Sequence, residues 1–125
     1  MYRFEADPSG ILLVETAGFW TVPEADAYIA TLRRHVGESR RMRGYSLVLV
    51  DGRQSEIQTT EVMTRVGDIE SVLVETGRDR AAYIVTNSLA KLQAQRLAST
   101  DRLKVFLSPS AARTWLLAYE GVTPG

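Results

Sequence analysis

Residues Tyr45 to Asp51 read YSLVLVD, and no set of alternate positions in this run is polar. Leu47, Val48, Leu49 and Val50 must therefore be covered on both sides, as in a strand at the middle of an α/β sheet. The polar connection GRQSEIQTT follows, and then a helix-like run beginning near Glu61. Open α/β sheets bind ligands in the crevice beyond the carboxyl ends of their central strands, where loops lead into helix N-termini with free backbone N–H groups. A ligand or partner loop is thus expected just after the strand, at Asp51, Arg53, Ser55, Thr59 and Thr60.

The chain before this strand predicts a hairpin and a helix. Tyr2, Phe4 and Ala6 alternate with Arg3 and Glu5, the period of a half-buried strand. Asp7-Pro8-Ser9-Gly10 turns the chain, so Ile11 to Thr16 returns as an antiparallel partner. Thr21 and Glu24 resemble a capping box around Pro23, and Ala25, Tyr28, Ile29, Leu32 and Val36 then make one apolar stripe, with Gly37 the expected stop. Beyond the central strand, Val62, Met63, Val66, Ile69 and Leu73 keep helical spacing as far as Val74. Arg80 to Thr86 reads as a strand, Leu89 to Ala98 as a helix capped by Asn87 or Ser88, and Leu103, Val105 and Leu107 as a last strand. Ser108-Pro109 starts the closing helix, whose face carries Ala112, Trp115, Leu116 and Tyr119. The expectation is one α/β domain over 1-125, a mixed sheet of about five strands with four helices in the order β-β-α-β-α-β-α-β-α, with right-handed crossovers in its parallel part.

Composition narrows the function. A chain of 125 residues that is 45% hydrophobic buries about two thirds of its unfolded surface, enough for a core without staples. The absence of cysteine excludes disulfides, thiolate catalysis and cysteine metal sites, and fits a reducing compartment. Runs such as ILLV and LVLV are far too short to span a bilayer, and no signal peptide opens the chain, so a cytoplasmic location is expected. Fifteen basic and fifteen acidic side chains cancel, leaving no global field for nucleic acid.

Together, GFWTVPEADAYIATL after the hairpin, YSLVLVD with its downstream helix, and VFLSPSAARTWL resemble the SpoIIAA-like branch of the STAS fold over nearly the whole chain. The resemblance implies a small α/β domain of the kind seen in anti-sigma factor antagonists, cytoplasmic parts of anion transporters, and stand-alone bacterial proteins with reversible membrane or apolar-ligand binding. In the antagonists it further implies phosphorylation of a serine, within an Asp-Ser-Ser-Gly type motif, at the start of the helix after the central strand. The matching positions here are near Thr59 and Thr60 in QTTE, where Gln58 and Thr59 stand in place of the acid and serine and Glu61 occupies the place of a residue that lets a partner approach. A hydroxyl there also reads simply as a helix N-cap.

Other residues divide between bland and functional readings. Arg33, Arg34, Arg40, Arg41 and Arg43 gather a third of the basic side chains, a surface for an anionic membrane if they share a face and otherwise a solvated, dipole-complementing helix end. Met63, Val66, Leu89 and Leu92 are expected to line an apolar groove between the second and third helices. Trp20, beside Phe19, is either packing or the cap of a pocket or membrane interface. His35 has no partner at triad or metal spacing and reads as a surface residue; Asp51, Glu56 and Glu61 read as surface carboxylates, and neither GxGxxG nor GxxxxGK[ST] occurs. The expected protein is therefore non-enzymatic, without cofactor or metal. It binds a small apolar or amphipathic ligand, a membrane surface or a protein partner, and homodimerisation is left open. The alternative is a phosphorylation-switched protein-interaction domain of the antagonist type.

Overall fold

The computed structural model describes residues 1–56, 58–67, 69–75, 77–88, 91–92, 95 and 101–122. Their order is β1 (Tyr2–Ala6), β2 (Ile11–Gly18), α1 (Val22–Arg43), β3 (Leu47–Ser55), α2 (Thr60–Val66), α3 (Ile69–Leu73), β4 (Arg80–Ile84), β5 (Leu103–Phe106) and α4 (Pro109–Val122). The strands form one sheet in the order β1-β2-β3-β4-β5. β1 and β2 are antiparallel, and β2 to β5 are parallel to one another. Most of the helix expected at Leu89 to Ala98 lies outside the described residues. Ser88, Lys91, Leu92 and Gln95 are helical, and the Lys91 N–H donates to the Asn87 carbonyl at 3.0 Å.

The apolar run of β3 sits where its sequence requires. Val48 and Val50 pack with Leu12, Val14 and Ala81 under α1, α2 and α3, where Tyr28, Leu32, Val36, Val62 and Leu73 meet them. Leu47 and Leu49 face the other way, into a second core with Ile11, Ala82, Ile84, Ala112 and Leu116 beneath α4. None of the four residues is more than 5% exposed.

β4 and β5 end at Ile84 and Phe106, short of the expected Thr86 and Leu107, and three larger differences from expectation shape the fold. α1 does not stop at Gly37 but continues to Arg43, and Gly44 ends it at φ +83° with its N–H bonded to the Arg40 carbonyl at 2.7 Å. A glycine inside a helix costs about 1 kcal/mol. The extra turns gain an anchor, because Arg40 reaches buried Asp79 (Nη2 to Oδ2, 2.7 Å) and the Val72 carbonyl (2.6 Å). The single helix expected from Glu61 to Val74 is two, because the Gly67 N–H pairs with Thr64, three residues back (3.3 Å), a tightening that closes α2. Finally, β3 runs on through GRQS to Ser55, since Ala17 and Gly18 of a longer β2 pair with Gln54 and Ser55.

The hairpin turn is tied to the last helix. Asp7 accepts from the Ser9 N–H (2.6 Å) and from Arg113 Nη1 (2.8 Å), with Gly10 at φ +96° completing the turn. The Arg113 hydrogen bond, with those from Ser9, holds the Asp7 carboxyl down at about 2 from an ordinary 3.8. Because the folded value is the lower one, this contribution is complete above 3.8 and disappears as pH falls toward 2. Acid titration of stability should accordingly show a smaller loss across that window for Asp7→Asn than for the parent chain. An unchanged acid slope would mean that the pair does not stabilise the fold.

Candidate functional site

The site is built where the parallel strands end. Between the pairs Glu15/Asp51 and Ala17/Gln54 the register of β2 and β3 shifts by one residue. A bulge of this kind re-aims the side chains beyond it. Asp51 and Gln54 consequently share a polar depression with Arg3 and Glu15, whereas Gly52 and Ser55 border a cavity on the other side of the sheet. The expected ligand loop is thus mostly strand, and its members are split between two surfaces.

The cavity, about 370 Å³, lies beneath α2 at the carboxyl ends of β3 and β4. Val62, Met63 and Val66 of α2 roof it; Val50, Tyr83, Leu103 and Val105 of the sheet floor it; Tyr28 and Trp20 close one wall. Met63 and Val66 of the expected groove are therefore on this cavity. Leu92 is 55% exposed and is not among its described lining residues, and Leu89 lies outside the described residues. Thr16, Ser55 and Trp20 on the wall bond within the protein. Thr16 Oγ1 and Ser55 Oγ are 2.6 Å apart, and the Trp20 indole N–H donates to the Ala17 carbonyl at 2.9 Å. Burial pushes the Tyr28 phenol well above its ordinary value, with Tyr83 adding to the effect, so it stays protonated.

Gln58 fixes the approach to α2. Its Oε1 accepts from the Trp20 N–H (2.8 Å), and its Nε2 donates to the Gly18 and Glu56 carbonyls (2.9 and 2.7 Å). Thr59 is the N-cap, with Oγ1 accepting from the Val62 N–H at 3.2 Å. The Thr60 side chain is exposed and takes no part in the cap. Beside this helix start, Phe19 is 60% and Met63 46% exposed, while Trp20 is only 5% exposed against Tyr2 and Tyr28. The aromatic pair is thus divided between solvent and core. Nothing in the sequence marked Gln58 as the staple or Tyr28 and Tyr83 as lining the cavity; the position of Trp20 beside a strand-to-helix connection was the one usable signal.

The five arginines do not share a face. Residues in a helix turn by about 100° each, so Arg33 and Arg40 project together, Arg34 and Arg41 about a quarter turn to one side of them, and Arg43 about a quarter turn to the other, opposite Arg34 and Arg41. Arg40 is removed from any membrane-facing patch altogether by its ion pair with fully buried Asp79. Arg43 lies over the hairpin turn, close against Gly10. His35 is half-buried, its ring stacked on Phe4 at 4.8 Å, and is not a free surface residue.

Both Asp51 oxygens accept from Arg53 (2.9 and 2.7 Å), which lowers the Asp51 pKa, the opposite of a base poised near neutrality. Among the described residues no three His, Cys, Asp or Glu side chains are placed to hold a metal, and no helix is long and apolar enough to cross a membrane.

This architecture, a five-stranded mixed sheet with α1, α2 and α3 on one face and α4 on the other, is the SpoIIAA-like fold. Solved structures share it, among them the following three. An uncharacterised protein from Shewanella loihica with a SpoIIAA-like fold is 18% identical, with a TM-score of 0.61 over 93% of this chain and 92% of that one. An anti-sigma factor antagonist from Mycobacterium paratuberculosis is 13% identical, with a TM-score of 0.67 over 94% and 93%. The antagonist SpoIIAA in its unphosphorylated form is 6% identical, with a TM-score of 0.66 over 94% and 98%. No protein-family model and no curated protein matches the sequence.

Proposed function

We propose that this chain is a non-enzymatic regulatory module that works by presenting the α2 end of its sheet to a protein partner. The observation that carries this reading is the construction of that end: Thr59 and Thr60 exposed at a helix start stapled by Gln58, with Phe19 and Met63 as large apolar side chains left in solvent beside them. Exposed apolar area is unfavourable by about 25 cal/mol per Å², which a docked partner would recover. The likeness in fold to two anti-sigma factor antagonists supports a protein partner over a substrate. A phosphate at this helix start would add roughly −1.5 to −2 charges, gain from the helix dipole and lie beside Glu61. Thr60 is the better acceptor, because Thr59 Oγ1 is already engaged in the cap. Mass spectrometry of the protein from its native cells should find phosphate on Thr60. Its absence in every growth condition would leave both threonines as helix-start residues and remove the switch. Turnover of any substrate that disappears on neutralising Asp51 or Glu56 in a folded protein would overturn the non-enzymatic reading.

A second reading rests on a separate observation. The cavity beneath α2 is of the size at which small-molecule pockets begin, roughly 300 Å³ and above, and is walled mainly by apolar side chains. It fits a small apolar or amphipathic ligand.

A further inference from the structure

We propose that the outer edge of β1 joins two copies of this chain into a dimer, through antiparallel pairing of β1 with itself centred on Phe4. Such a dimer requires neither phosphate at Thr60 nor a partner at α2.

Among the described residues β1 is an outer strand, with β2 as its one neighbour in the sheet. The bonds at the two ends of this pair fix which backbone groups are already used. The Met1 amine donates to the Ala17 carbonyl and the Ala17 N–H to the Met1 carbonyl, both at 2.8 Å, and the Asp7 N–H donates to the Ile11 carbonyl at 2.9 Å. Alternation along an antiparallel ladder then assigns the backbone groups of Arg3 and Glu5 to β2 and turns those of Tyr2, Phe4 and Ala6 outward. A row of outward N–H and C=O groups is a template for another strand.

The charge pattern selects that strand and its register. A second β1 has to set its own outward residues against these. With Tyr2 opposite Phe4, Arg3 faces Arg3 of the second copy; with Phe4 opposite Ala6, Glu5 faces Glu5. Like charges directly opposite destabilise a sheet. With Phe4 opposite Phe4, Tyr2 meets Ala6 and each Arg3 meets a Glu5, in the non-hydrogen-bonded positions where side chains come closest. This register also keeps the whole of β1 paired. Within one chain Arg3 is 69% exposed and pairs with Glu15 of β2, whereas Leu13 stands opposite Glu5. Dimerisation extends the row to Glu15, Arg3 and Glu5 of the second copy, and puts opposite Glu5 the cation that its own sheet does not. At the centre, half-buried Phe4, stacked on His35 at 4.8 Å, is covered by its counterpart. The other edge strand, β5, carries Lys104 and no acid, so it lacks this self-complementarity.

The two-fold axis would pass through the middle of one continuous sheet and reverse the strands of one copy against those of the other. The two α2 ends then point in opposite directions, and the dimer is a bivalent form of the module.

One short strand pair lies at the small end of interfaces, so association is expected at about 10–100 μM protein. Sedimentation equilibrium across that range should show the mass rising from 13.9 kDa toward twice that value. Arg3→Glu alone and Glu5→Arg alone each set like charges opposite in both pairs and should weaken the dimer at least about tenfold. Mixed in equal amounts, the two variants regain opposite charges at both pairs and should form a heterodimer. Ala6→Pro removes an outward N–H that the ladder to β2 does not use, and should weaken the dimer by a similar factor without any change of charge. Circular dichroism checks the fold of each variant, and if one charge variant fails to fold, the other and Ala6→Pro decide. A mass that stays at 13.9 kDa throughout, an undiminished dimer in any folded single variant, or no heterodimer from two folded charge variants overturns the dimer.

Discussion

Replacing Asp79 with alanine is expected to destabilise the fold by about 3–5 kcal/mol, the range for removing one partner of a buried ion pair. Asp79 is fully buried and Arg40 is 17% exposed, with Arg40 Nε and Nη2 donating to Oδ2 at 3.0 and 2.7 Å. The other carboxylate oxygen accepts from the Ser46 N–H at 2.8 Å, so alanine leaves that buried backbone donor without its acceptor and the guanidinium with only the exposed Glu75 carboxylate (3.2 Å) as countercharge. The cost is structural as well as electrostatic. This carboxylate joins the end of α1, the residue before β3 and the stretch that leads into β4, while Arg40 Nη2 also holds the Val72 carbonyl of α3. Urea unfolding of Asp79→Ala, Arg40→Met and the double variant provides the check. The double variant should lose less than the sum of the single losses, because an unpaired buried ion is worse than none. Additive losses, or a single loss below about 1 kcal/mol, would show that the pair is not the keystone described here.

The contrast between β3 and this ion pair shows which parts of the structure the sequence discloses. YSLVLVD declares its burial by itself, since hydrocarbon at consecutive positions has one comfortable environment, and the two cores follow directly. Caps are equally local: Thr21, Thr59 and Ser108 each accept from an N–H three residues ahead, a relation visible in the sequence. Arg40 and Asp79 are 39 positions apart, and Gln58 and Trp20 are 38 apart; neither pairing leaves a periodicity or a motif. Gly37 and Gly44 illustrate the same limit. Both are plausible stops, and the choice between them is made by the tertiary anchor at Arg40, so propensity alone selects the wrong one. The bulge in β3 had a similar effect on the site. It sent Asp51 and Ser55 to opposite faces, and a strand extended by pairing with Ala17 and Gly18 cannot be told from a polar loop by composition.

The surface on which the protein works is the central claim, and covalent capture tests it most directly. A photoreactive phenylalanine analogue placed at Phe19 or at Met63 puts the probe beside the start of α2, and the same analogue at Arg34 probes the outer face of α1. All three positions are exposed, so incorporation disturbs little packing. Illumination in native cells should yield one protein adduct shared by positions 19 and 63 and absent from position 34. In the same experiment Thr60→Glu, which adds charge at the helix start, should reduce that adduct by about tenfold or more. An adduct formed from position 34 and from neither 19 nor 63 would contradict the account and move the working surface to the arginine-bearing helix.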